Sequence, residues 1–463
     1  MKRSAMYGAA MGIVGALVLS PWTAGSLFAA TITWSGAGDG TTWSDGGNWG
    51  GTAPAAGDTA TFNGNVTFNG DVVLPGNLTI SVTSGKTVTI NGVVSGTGTL
   101  TKSGAGNLKL LNAANTFDGA TTLSAGNLYY MTIANIGEAS SLGQPTTAAN
   151  GTVTISGGNF YAVTRSTVTA METDRTIHMT GGTFYVGEIK GTDANITITL
   201  KGPYTGTRLS VRGVGNLRIE SYLGTSVTWI GRTDGGTVEF LNPTNRTTAS
   251  LGISDGIIRV AGLGKPSALG SGSKVTMGQT AYSTVGRLFY NGTTNAVCDR
   301  GLAFSAFTNS TMSYVNLATS GGRVRNETPG TCVTLTGPIS LSMPDMSRYP
   351  AATAYIWIDG PGDGVVTSDI AGRARLSHEQ GGTWSYKGNY TATGIISVNN
   401  NCRFELDGTV SAEKDSTLNN KLQVNSGGTL AGTGTIHGAS AVYSGGTLAG
   451  EAAMLIKDAL AID

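Results

Sequence analysis

The chain of 463 residues carries 29 basic and 28 acidic side chains, a formal net charge of +1 with no long run of either sign, which argues against a nucleic-acid ligand. Glycine fills 71 positions while charged residues make up only 12% and aromatics 7%, so turns and short strands are favoured over helices. A hydrophobic content of 39% is too high for a disordered linker and calls for a continuous buried interior.

Residues 1–30 read as an export signal: Lys2 and Arg3, then the apolar run AAMGIVGALVLS, then small residues with cleavage expected near Ala29 or Ala30. The run is well short of the ~20 residues that a membrane span requires. The expected location is therefore secreted, or at the cell surface. Residues 31–90 read as an N-terminal cap and first coils, and residues 91–300 as solenoid repeats. Two long copies stand out there. NLKLLNAANTFDGATTLSAGNLYYM (107–131) leads into SSLGQ, and TVEFLNPTNRTTASLGISDGIIRV (237–260) leads into PSALG; both run strand, Asn-rich turn, strand, small-residue turn, strand, serine-rich loop. Residues 181–230 fit this unit poorly, and residues 301–370 read as an irregular or inserted region. Residues 371–463 return to the repeat, with a third copy at Gly381 to Leu406 and an identical SGGTLAG at Ser426 to Gly432 and Ser444 to Gly450.

Apolar residues alternate within the copies, as at Val88 and Ile90 or Val153 and Ile155, so one side of each strand faces inward. Short strands, Gly-Asn and Gly-Gly turns and a repeat of ~18 to 25 residues predict an all-β fold, a parallel, right-handed β-helix with irregular insertions. At about 22 residues per coil this gives about twenty coils and a rod on the order of 90 Å. The competing fold is a set of antiparallel sandwiches, since alternation does not set strand direction.

GTGTLTKSGAGNLKLLNAANTFDGATTLSAGNL (96–128) resembles the autotransporter-associated β-strand repeat of bacterial secreted proteins, and TITWSGAGDGTTWSDGGNWGGTAPAAGDTATF (31–62) is similar to the start of exported proteins that carry it. The resemblance implies a β-helical, extracytoplasmic surface protein and carries no reaction. A structural or adhesive role without catalysis is the expectation, with extracellular polysaccharide or cell-surface components as partners and with self-association. A polysaccharide lyase or hydrolase on the same architecture, and a self-assembling sheath subunit, are the alternatives. Neither a translocator barrel nor a sorting tail is recognisable, which leaves the mode of surface attachment open.

No catalytic, cofactor or metal residue is expected, and the candidates have plainer readings. Gly252-Ile-Ser254-Asp-Gly256 matches G-x-S-x-G, but a glycine-rich chain produces such a match by chance and the strand-to-helix elbow is missing. His178, His378 and His437 lie in different regions, and Ser377, His378 and Glu379 point different ways on a strand. Asp359, Asp363 and Asp369, with Arg373 and Arg375, are the best acidic patch for a saccharide site; turn-stabilising carboxylates are the plainer reading. Asp39 and Asp45 are the pair a calcium ion would use, though turn caps explain them. Trp43, Trp49, Tyr129, Tyr130, Trp229, Tyr355 and Trp384 are candidates for stacking on sugars, with core or ladder positions the alternative. Cys298, Cys332 and Cys402 fit neither a disulfide framework nor a zinc site; one disulfide is open to them.

Overall fold

A computed structural model describes residues 29–163, 169–187, 195–279, 284–306, 320–343, 352–399, 401–411, 422–449, 454–457 and 460–462. The segment read as an export signal, Ala29 and Ala30 apart, lies outside the described residues. The chain winds as a three-faced parallel solenoid. Leu78–Val82 lies on one face, Thr87–Ile90 on the second and Val94–Gly96 on the third, and Leu100–Ser103 then returns to the first, setting Leu100 beside Leu78. Every ladder between these strands is parallel, which removes antiparallel sandwiches from consideration.

The faces continue nearly end to end. The first holds seven strands from Thr31–Thr33 to Ile177–Met179, single bridges at Tyr204 and Leu223, and seven more from Ala296–Cys298 to Thr447–Leu448. The second holds twelve from Val66–Phe68 to Ile339–Ser342, a bridge at Ile370 and four more from Asn389–Tyr390 to Leu455–Ile456. The third holds a pair at Val72–Leu74 and Val94–Gly96, then thirteen strands from Ala170–Thr173 to Leu460–Ile462. At about 4.8 Å per level the second face makes a rod on the order of 80 Å, somewhat shorter than expected because many coils are longer than 22 residues.

Residues 301–370 carry the same ladders. Gly301–Ser305, Gly321–Asn326, Cys332–Leu335 and Ile339–Ser342 all pair in register with neighbouring coils, Gly321 with Tyr355 and Leu302 with Ile339. Longer connections between strands, not a different fold, dilute the repeat there. The same holds at 181–230, where Arg208–Arg212 pairs with Trp229–Arg232.

Period-2 alternation places one residue in two inside. Val88, Ile90, Leu108, Leu110, Leu128 and Tyr130 stack in columns with at most 1% exposure. The two long copies also superpose in their polar interior. Asn115 and Asn245 are fully buried, and each joins three coils: Asn115 Oδ1 accepts the Val94 amide at 2.8 Å while its Nδ2 donates to Ser141 O at 2.9 Å, and Asn245 does the same between Leu223 (2.8 Å) and Ala268 (2.7 Å). The following Ser-x-Leu-Gly turns close on themselves, Ser140 with Gly143 and Ser267 with Gly270. Gly143 and Gly270 both adopt positive φ, and a Cβ on either would stand 2.3 Å from a carbonyl of the preceding coil. Asn115→Ala removes the acceptor that the Val94 amide uses and is expected to cost about 2 kcal/mol. Amide exchange at Val94 should speed up at least about tenfold; unchanged protection would contradict the bridge.

Buried cations cap the turns. Lys102, Arg175, Arg232 and Arg300 are all at most 2% exposed and meet carbonyls in place of carboxylates. Arg175 donates to Leu142 O (2.7 Å) and Gly143 O (2.8 Å), holding one Ser-x-Leu-Gly turn. Arg300 holds the other, donating to Leu263 O (3.2 Å), Gly264 O (3.0 Å), Gly270 O and Gly272 O.

At the N-terminal end the opening motif folds into a plug. Trp34, Trp43, Trp49, Phe62 and Phe68 pack edge to face, with Trp49 4.9 Å from Trp34 and 5.0 Å from Trp43 between ring centres, and Trp49 Nε1 donates to Trp43 O at 2.7 Å. This cluster covers the first cross-section of the core.

Candidate functional site

Low overall charge conceals a local concentration. On the outward side of the third face, register aligns Arg218, Glu239, Arg259, Phe289, Arg325 and Asp359 in one column. The neighbouring column runs Arg287, Arg323, Trp357, Ser377 and Ser397. Arg218 meets Glu239 at 3.0 Å, Arg259 meets Glu327 at 2.8 Å and Arg287 meets Asp255 at 3.3 Å. Arg323 contacts Asp359 and, at 3.0 Å, Glu379; Arg325 meets Asp359 at 3.3 Å.

Above this network lies an open depression of about 410 Å³ lined by Tyr355, Trp357, Arg375, Ser377, Glu379, Gln380 and Asn399. It exists because the column drops from Trp357 to Ser377 and Ser397, so two successive coils offer only hydroxyls. Tyr355 stacks on Trp357 at 5.4 Å, Arg323 lies over the indole at 5.7 Å, Arg375 lies over Tyr355 at 5.8 Å, and Trp357 Nε1 donates to Glu379 at 2.8 Å. Burial pushes the Asp359 carboxyl up, against the pull of Arg323 and Arg325. Asp359→Asn uncouples a buried ion pair and is expected to destabilise these coils by about 3 kcal/mol. Asp363→Asn should change little. Denaturation of the two variants separates them, and equal effects would remove Asp359 from the network.

The candidate acidic patch is not assembled, and two of its members take the plainer, turn-stabilising place. Asp359 faces outward on the third face, whereas Asp363 and Asp369 sit at coil corners, accepting the amides of Thr383 and Asn389 at 2.7 Å each. Asp71 does the same for Val93. Asp39 and Asp45 close their own loop. Asp39 Oδ1 accepts from Thr41, Thr42 and Asn48, all at 2.8 Å, which holds its carboxyl well below the usual range, and Asp45 accepts from Asp39 and Gly47 at 2.9 Å each. Among the described residues no three His, Cys, Asp or Glu side chains stand close enough to hold a metal ion.

Ser254 ends the strand Ser250–Ile253 and shares its coil with no histidine. Ser377 and Glu379 face outward while His378 points into the core, its Nδ1 2.9 Å from Ile358 O. Burial holds His378 below the ordinary histidine range, so the unfolded chain takes up the proton first as pH falls. The stability that this neutral ring contributes is present above about pH 6.5 and is lost progressively below it. Between about pH 7 and pH 5 the wild type should lose more stability than His378→Gln; equal losses would contradict this. His178 meets Thr205 Oγ1 at 2.9 Å, and His437 ends an outer strand half-buried. Cys298 and Cys402 are buried and Cys332 is half-buried.

Of the aromatic candidates, Trp43 and Trp49 belong to the N-terminal plug, and Tyr130 and Trp384 are fully buried. Tyr129 stacks on Tyr161 at 4.6 Å, which stacks on Tyr185 at 4.2 Å, with Lys109 and Arg212 at the two ends. Rings piled this way cover each other's faces and leave only edges for a sugar. Trp229 alone is well exposed, at 39%, with Arg208 4.7 Å from its ring centre.

The ordering of the third face was missed because its charges are 20 to 36 residues apart in sequence. The recurrence of Arg218, Glu239 and Arg259 at about one coil length was the available signal.

These features describe a parallel β-solenoid that bears a charged, aromatic-containing face. Over 335 residues, 70% of this chain, the sequence is 26% identical to the adhesin BmaC autotransporter of Brucella suis biovar 1 (strain 1330). The chain spans 9% of that protein's length. No family model and no solved structure matches the chain.

Proposed function

We propose that this chain is an exported, passenger-type β-solenoid of the autotransporter-associated repeat class that adheres to extracellular polysaccharide or cell-surface components and catalyses nothing. The observation that carries the reading is the similarity to an autotransporter adhesin over most of the chain, on a parallel β-solenoid fold. Adhesion on such a scaffold comes from a long rigid face presenting repeated contacts, so that weak sites add through multivalency. Residues 1–30 supply the export signal. Beads coated with the purified protein should be retained on cell and extracellular-matrix surfaces in a saturable way, with soluble protein competing. Retention no greater than that of uncoated beads would refute the adhesive reading.

A further inference from the structure

Arg375 stands apart from the other arginines of the third face. Arg218, Arg259, Arg287, Arg323 and Arg325 each meet a carboxylate. Arg375 meets none among the described residues: its Nη2 donates to Ser397 Oγ at 3.1 Å, its guanidinium lies over Tyr355, and its Nε is buried with no acceptor. A buried donor without a partner costs free energy that a ligand acceptor recovers.

The surroundings leave this cation to a ligand. Glu379, the one acid lining the depression, has both oxygens in use, Oε1 by Trp357 and Oε2 by Arg323. Among the described residues Arg323, Arg325 and Arg375 therefore face two acids, Asp359 and Glu379, and one positive charge is left over. The cavity is within the size range of small-ligand clefts, about 300–1,000 Å³. Its apolar wall of Tyr355 and Trp357 and its hydroxyl and amide groups, Ser377, Gln380 and Asn399, suit a ring with one apolar side and many hydroxyls.

We propose that this depression binds a carboxylate-bearing sugar residue of an acidic glycan, with Arg375 pairing the carboxylate in the forked geometry that guanidinium groups favour. The inference rests on the adhesive reading and names its ligand class. A single uncompensated cation suits one carboxylate per site better than a densely sulfated chain.

Immobilised full-length protein is exposed to oligogalacturonate, sialyllactose, lactose, a heparin-derived oligosaccharide and inorganic phosphate. A carboxylated sugar should be retained at least about tenfold more tightly than lactose, the difference of one charge-assisted hydrogen bond. Arg375→Gln should abolish that preference while leaving the thermal transition in place. Ser377→Tyr, which fills the depression without altering any charged residue, should block every sugar. Equal retention of lactose, tighter retention of the sulfated sugar or of phosphate alone, or unchanged binding by Arg375→Gln would each overturn the proposal. If beads adhere to cells but no acidic sugar is retained, this site assignment fails and the adhesive reading stands; if beads do not adhere, the adhesive reading itself has failed.

Discussion

Arg300→Ala is expected to destabilise the coils around residues 260–305 by about 4 kcal/mol. The side chain is 2% exposed and gathers the carbonyls of Leu263, Gly264, Gly270 and Gly272, all on the connection between the strands Gly256–Val260 and Lys274–Met277 of the preceding coil. Alanine takes the guanidinium donors from all four carbonyls, only Gly270 O keeping the Ser267 amide, and opens a cavity that the short flanking turns are too constrained to close. Burial lowers the guanidinium's proton affinity, yet arginine remains charged, and four carbonyl dipoles take the place of a carboxylate. Arg300→Lys should fall between the two, at about 1–2 kcal/mol, because three tetrahedral donors do not span the set. In a solenoid each coil contacts only its neighbours, so the loss is local. Hydrogen exchange should show lost protection near residues 260–305 with distant coils unchanged; full protection in Arg300→Ala would mean that water replaces the side chain without cost.

Trp49→Ala is expected to cost a similar amount, about 4 kcal/mol, at the other kind of weak point, the end of the stack. Trp49 touches Trp34, Trp43 and Phe62 and is hydrogen-bonded to Trp43 O. Its loss exposes the first core level, Phe62 and Phe68, to water and opens parallel edge strands to pairing with other molecules. Frayed exchange over residues 59–90 and concentration-dependent aggregation should appear together. A variant that remains monomeric with protected first coils would show that Trp34 and Trp43 cap the stack unaided.

Much of the solenoid was legible in the residues themselves. Val88 and Ile90, or Val153 and Ile155, alternate and do pack inward, and the matched Asn-rich turns and Ser-x-Leu-Gly loops identified two copies that prove equivalent down to the buried amides of Asn115 and Asn245. Strand direction was not readable from alternation, because parallel and antiparallel strands share the same period. Residues 301–370 looked foreign because insertions between strands stretch the spacing to 34 between Gly321 and Tyr355, although the strands keep register. The polar devices were the least visible. Lys102, Arg175, Arg232 and Arg300 look like solvated cations in sequence, and only coil stacking brings carbonyls from distant segments around them. The same stacking leaves Asp359 on the third face and Asp363 and Asp369 at coil corners, and gathers Arg323, Trp357 and Arg375, which sequence spacing keeps apart.

The most direct test of an adhesive, non-catalytic solenoid is incubation of the purified protein with a panel of polysaccharides, with and without calcium, measuring retained polymer and released short products together. Retention of intact polymer without products, unaffected by calcium, is the expected result. Release of shortened chains that depends on the protein would make this face a catalytic one and contradict the adhesive reading.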